Sequence, residues 1–238
     1  MNEFEMTPQS AFSPAAAATA ERVTAFLRKV YGWMFVGLGV TASVALGVAA
    51  SPTLVQSVAR NSIVFFALAI GQLGLVFYLS ARVSKLAPST ASILFLVYAA
   101  LNGVIFSFIF LMYTGTSIAT TFLVTAGMFG ALALYGSTTK RSLAGVGQFV
   151  FMGLIGLILA SIVGVFVKSA GLQFVISIVG VIVFTGLTAW DAQRLKAMAT
   201  ALPEGQTGSY AIVGALSLYL DFINLFLFML RFLGGRRD

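Results

Sequence analysis

Neither cysteine nor histidine occurs anywhere in the 238-residue sequence. Without cysteine no disulfide can form, and the redox compartment leaves no mark. Without histidine the commonest metal ligand and the usual side chain for proton switching near neutrality are both missing. Any pH response must then rest on carboxylates in unusual surroundings. Charge is scarce too: 9% of residues are charged and 59% are hydrophobic, where a soluble domain carries about 25% charged residues. So little polar surface cannot keep a fold in water, and lipid is the expected solvent for most of the chain. The sequence holds no nucleotide-binding loop, Ser/His/Asp set or metal-ligand cluster, so no enzyme activity and no cofactor are expected. The net charge of +7 comes from bases spread singly or in pairs between hydrophobic spans. That is the pattern of membrane topology, and no nucleic-acid partner is expected.

What the sequence does contain is long apolar runs. A transmembrane helix needs roughly 20 apolar residues, and seven segments qualify: 30–50, 62–81, 89–112, 118–137, 146–167, 172–195 and 210–232. The expected fold is therefore all-α, a polytopic bundle of seven transmembrane helices formed by residues 30–238 as one domain. Residues 1–29 are polar, with Glu3, Glu5 and Glu21. They lack the basic start and apolar core of a signal peptide and read as a mobile cytoplasmic arm ending in a short helix near Ala20 to Lys29. With the N-terminus inside, the inner connections hold Arg22, Arg28, Lys29, Arg82, Lys85, Lys140, Arg141, Arg194 and Lys196, against Arg60 and Lys168 outside. Nine against two is a strong positive-inside bias. The tail runs against it: seven crossings put Arg231, Arg236 and Arg237 outside, and a last segment that dips in and returns is the alternative. Small residues four apart, such as Gly156, Ala160 and Gly164, read as places where helices approach closely in lipid.

Two acids stand apart from the other five. Asp191 and Asp221 lie inside apolar spans, where a charged aspartate costs about 2.5–3.5 kcal/mol on insertion scales. The bundle must shelter them, pair them or keep them protonated. Their helices are consecutive, so antiparallel neighbours are expected. At 1.5 Å per residue, Asp191 lies about 7 Å from Lys196 and Asp221 about 15 Å from Ala211. A longer helical loop or a break in the last helix could close that mismatch. If the acids meet, they share one proton and titrate as a unit, and they offer a hard oxygen site suited to calcium. The other reading gives each acid a structural partner of its own, such as Arg194 for Asp191. Spacing alone leaves both readings open. Asn102 and Asn224, also within spans, read as interhelical hydrogen bonds before ion ligands.

The stretch Ala215-Leu-Ser-Leu-Tyr-Leu-Asp-Phe-Ile-Asn-Leu-Phe-Leu-Phe-Met-Leu-Arg-Phe-Leu-Gly234 resembles the C-terminal signature of the Bax inhibitor-1 family, the transmembrane Bax inhibitor motif proteins. Thr188-Ala-Trp-Asp-Ala-Gln-Arg-Leu195 is similar to its other signature, and Tyr98-Ala-Ala-Leu-Asn-Gly103 to a weaker third. The resemblance implies a bundle with the C-terminal helix at its centre. It maps the family's acidic pair onto Asp191 and Asp221, a pH-sensitive latch on a calcium leak, with Arg82 as the arginine that pairs with it in the closed state. The family's acid within the second helix has no counterpart here, where Gln72 is the polar residue of comparable reach. The chain looks like the bacterial branch, which implies the inner membrane. A pH-gated calcium channel is thus the first functional reading. The second is a regulator that binds a membrane-bound ATP-dependent protease, with the N-terminal arm as its contact. Intramembrane aspartyl proteases also carry acids on consecutive spans, but Leu218, Tyr219 and Leu220 stand where their Gly-x-Gly would precede the second acid.

Overall fold

The computed structural model describes residues 14–59, 61–167, 169–203, 206–235 and 237. Residues 1–13 of the arm, with Glu3 and Glu5, lie outside the described residues, as do Arg60, Lys168, Glu204, Arg236 and Asp238. The described residues form helices α1 (Pro14–Ala49), α2 (Pro52–Ala59), α3 (Ser62–Arg82), α4 (Pro88–Phe106), α5 (Ile109–Met112), α6 (Gly115–Thr138), α7 (Ala144–Phe166), α8 (Ala170–Ala201) and α9 (Thr207–Leu233), and no strand. Six spans are long and apolar enough to cross a membrane: α1, α4 running on through α5, α6, α7, α8 and α9. The helix α3 has 21 residues, with Phe66–Arg82 as its apolar stretch.

Helix boundaries differ from the apolar segments for local reasons. Pro14 pre-sets the first turn and Ala15 to Ala18 are the best helix formers, so α1 starts well before the apolar run at Val30. Arg22 on this extension donates through Nη2 to the carbonyl of Leu202 at 2.9 Å. The third apolar run is interrupted at 107–108, where Ser107 bonds back to the Val104 carbonyl at 2.7 Å, a local bond that competes with the helix ladder. The helix α8 runs past Leu195 because Ala197, Ala199 and Ala201 favour it. Pro203 then disfavours helical backbone at Leu202, which is extended (φ −70°, ψ 136°).

The helix α9 is the centre of the bundle. Of its apolar window 72% is buried, against 17–33% in the other five spans, and it packs against α1, α4, α6 and α8. It is unbroken over 27 residues, about 40 Å at 1.5 Å per residue. At its start Ser209 donates to the Leu86 carbonyl at 2.6 Å, before α4. Beyond its end the Gly235 amide donates to Ser117 Oγ at 2.7 Å, on α6. It therefore traverses the bundle from one end to the other, and the alternative of a segment that dips in and returns does not hold. One face of α1 (Phe26, Val30, Met34, Gly37, Thr41, Ala45) is buried, the i, i+4, i+7 spacing of a single stripe. Thr41 on that stripe donates to the Ala99 carbonyl of α4 at 2.8 Å and lies 2.6 Å from the Tyr219 hydroxyl of α9. Three helices thus meet at one buried hydrogen-bonded node.

Close helix approach falls on glycines other than the first of those expected. Gly156 is exposed, with nothing within 4 Å of where a Cβ would stand, and only Gly164 of that series is buried, under Gln173. The contacts that matter are Gly136, whose Cβ would collide with the Ala189 carbonyl, and Gly147, which lies under the Trp190 ring. Both press on the segment of α8 that carries Asp191.

Candidate functional site

Asp191 and Asp221 project from α8 and α9 into the bundle and are 8% and 5% exposed. Three contacts fix the α8 segment. Gly136 brings the α6 backbone against Ala189, and Gly147 receives Trp190. Gln193 accepts from the Leu143 amide at 2.8 Å and donates to the Arg141 carbonyl at 2.9 Å, which ties α8 to the α6–α7 connection. Lys196 adds a bond to the Ser137 carbonyl at 2.7 Å. The longer α8 also puts Asp191 ten residues from its end, about 15 Å deep, while Asp221 is fourteen residues into α9, about 21 Å. The depth mismatch thus shrinks, and the two carboxylates lie within each other's electrostatic reach.

The cation of the site is Arg194. Its Nη1 lies 3.7 Å from Asp191 Oδ1, beyond hydrogen-bond distance, and its charge acts on both acids. The guanidinium sits 5.3 Å from the centroid of the Trp190 ring, a cation–π contact that holds it at the rim of the site. It is 47% exposed, whereas the Asp191 side chain is 11% exposed, so Arg194 links the buried pair to the aqueous end of α8. Asp191 Oδ1 and Asp221 Oδ2 are buried without a hydrogen-bond partner among the described residues. Two buried carboxylate oxygens with no donor are costly. A shared proton or a hard cation removes that cost. The two acids alone fall short of the six to eight oxygens that calcium takes, and the described residues hold no group of three or more candidate ligands. A calcium ion passing here would keep water or borrow backbone carbonyls.

The remaining sequence-derived residues are scattered. Arg82, at the exposed end of α3, forms no ion pair with either acid among the described residues, and α3 packs on α2 and α4, away from α8. Gln72 is half-buried, and its Nε2 has no partner among the described residues. Asn102 and Asn224 bridge no helices among the described residues. Each donates to the carbonyl one turn back in its own helix, Tyr98 at 3.4 Å and Leu220 at 2.8 Å, the acceptor that a short amide reaches most easily. Sequence reasoning named Arg194 only as a partner of Asp191 and missed Gln193 as the group that fixes α8. The signal for the first was the i, i+3 spacing. The second depends on a loop fifty residues away.

The sequence profile of the family described as inhibitor of apoptosis-promoting Bax1 matches residues 23–238. The chain belongs to the Bax inhibitor-1 family. The inner membrane protein YbhL of Escherichia coli is 50% identical over 215 residues, covering 89% of this chain and 92% of that one. A protein of Borreliella burgdorferi is 46% identical over 215 residues (90% and 93% covered). One from Deinococcus radiodurans is 38% identical over 239 residues (100% and 98%). The match to the family takes in the buried pair, Arg194 and, from Val23 of α1 onward, the spans.

Proposed function

We propose that this Bax inhibitor-1 family protein is a pH-sensitive leak channel for calcium in the bacterial inner membrane, gated by Asp191 and Asp221. The observation that carries this reading is the pair of buried carboxylate oxygens without donors, on the most enclosed helix and its neighbour, facing one half-exposed cation. In this reading α3 is the seventh span: its 21 residues measure about 31 Å, the thickness of the hydrocarbon core. The N-terminus is then cytoplasmic by the loop-charge bias. Inner-membrane placement draws on the name of the Escherichia coli relative. The latch role that the family resemblance gave to Arg82 passes to Arg194. When both acids are ionised, the pair holds Arg194 or a divalent cation. When pH falls, a proton shared between them weakens that hold and shifts the bundle toward its open state.

The test is calcium flux into liposomes containing only this protein, from about pH 5 to about pH 8. Flux that rises as pH falls supports the reading. Absence of flux at every pH removes it and leaves the second one, a regulator of a membrane-bound ATP-dependent protease. What favours that alternative is the first part of α1, where residues 17–22 are exposed on a helix that projects beyond the apolar run.

A further inference from the structure

At the end of the bundle opposite the α8–α9 connection lies a cavity of about 580 Å³, lined by the close of α9, the start of α8, and Met112 and Tyr113 before α6. Its polar walls include three side chains that can donate, beside Gln173 and Ser177, whose donors are used within the protein. Arg231 lines it and forms no ion pair or hydrogen bond among the described residues; its guanidinium lies 5.6 Å from the centroid of the Phe228 ring. Tyr113 is only 6% exposed, and its side chain lines the cavity with no hydrogen bond to its hydroxyl among the described residues. Ser169, which caps α8, accepts from the Leu172 amide at 3.4 Å and keeps its own proton to give. Neither Asp nor Glu is among the described lining residues.

An arginine near a helix C-terminus is often no more than a dipole partner or an interface anchor. That accounts for Arg231 alone. It does not account for a tyrosine and a serine hydroxyl lining the same cavity beside it, neither of which gives its proton to a described residue. A set rich in donors and free of carboxylates repels a cation and suits an anion with several oxygens. The level of the cavity, where α7 passes to α8 and α9 ends, is that of the lipid headgroups. Phosphate is the abundant anion there.

We propose that this cavity recognises phosphate and holds a phospholipid headgroup, with Arg231, Tyr113 and Ser169 donating to the phosphate oxygens. The acyl chains then lie along the exposed apolar flank of α7 and α8 (Phe166, Phe174). The proposal also gives a reason for the arginine that breaks the loop-charge bias, because a basic residue on this side is neutralised by its lipid. It does not depend on the channel reading.

The test is native mass spectrometry of the full-length chain in detergent, titrated with phosphatidylglycerol, alongside Arg231→Gln, Tyr113→Phe and Ser169→Ala. Wild type retains one lipid that Arg231→Gln holds about tenfold more weakly, the size of one charge-assisted hydrogen bond. The two hydroxyl variants lose a few-fold each. Diacylglycerol, which lacks the phosphate, is not retained. Equal retention by wild type and a folded Arg231→Gln overturns the proposal. If Arg231→Gln does not fold, the two hydroxyl variants decide, and unchanged retention in both overturns it. Displacement of the lipid by millimolar inorganic phosphate overturns the lipid as occupant and assigns the cavity to the free anion.

Discussion

The node joining Thr41, Ala99 and Tyr219 makes a prediction whose sign depends only on donor chemistry. Thr41 has one hydroxyl proton, and the Ala99 carbonyl can only accept, so that proton fills the 2.8 Å bond. Tyr219 must then be the donor in the 2.6 Å bond. Tyr219→Phe removes the donor and leaves the Thr41 oxygen with an unfilled lone pair, a loss of about 1 kcal/mol. Thr41→Val keeps the shape but strands a phenolic proton in a side chain that is 0% exposed, at a cost of about 2 kcal/mol. For a chain of this size each kcal/mol moves the midpoint by about 2–4 °C. Thermal unfolding in detergent is therefore expected to place Thr41→Val below Tyr219→Phe, and both below wild type. The double variant should lie above Thr41→Val and near Tyr219→Phe, because the stranded donor is gone, with a coupling of about 2 kcal/mol. A Tyr219→Phe variant as unstable as Thr41→Val, or strictly additive effects, would refute the donor assignment.

Three other outcomes follow from the site. Asp191→Asn and Asp221→Asn should each flatten the pH dependence of calcium flux, with the double variant adding little, since two groups that act as one unit are not additive; a double variant with wild-type pH dependence excludes the pair as sensor. Arg194→Gln should shift the pH of half-maximal flux, whereas Arg82→Gln, which touches neither acid, should leave it in place; liposome flux of the two variants side by side decides. Gly136→Leu should destabilise by about 1–3 kcal/mol or prevent folding through overpacking against the α8 backbone, while Gly156→Leu, facing open space, should stay near wild type in the same melt.

The all-helical fold could be read from composition and from runs of apolar residues, because lipid leaves the backbone few other ways to satisfy its hydrogen bonds. The site was partly legible for the same reason: an acid is so costly in a span that Asp191 and Asp221 announce themselves. What the sequence could not show is how helices are rotated and where they stop in space. The depth of Asp191 depended on α8 continuing to Ala201, and alanines there look like a loop until Pro203 is seen to be the stop. The partner of the pair depended on which arginine faces inward. Arg194 is one turn from Asp191 on the same helix, whereas Arg82 sits on a helix that packs elsewhere. Gly136 and Gly147 look no different in sequence from Gly156. Only the neighbour each one meets distinguishes them.

The last prediction concerns how rigidly the acids are presented. Tyr219 and Asp221 are about 200° apart around α9, so the Thr41 bond holds one face of the helix while Asp221 is presented on the other. On the facing helix, Gln193 lies two residues beyond Asp191 and grips the α6–α7 connection through both ends of its amide. Both backbones are thus fixed from behind. Repulsion between the acids then cannot be relieved by turning either helix, and a proton or a cation must relieve it. Gln193→Leu frees α8 at this point with little change in side-chain volume. It also leaves the Leu143 amide without its acceptor, for about 1–3 kcal/mol of stability. The informative readout is pH. If rigidity is what couples charge to opening, Gln193→Leu should broaden the pH profile of flux while leaving flux at the acid limit unchanged. A profile of unchanged steepness in a stably folded Gln193→Leu protein would show that the acids act on each other without any help from the elements that hold them.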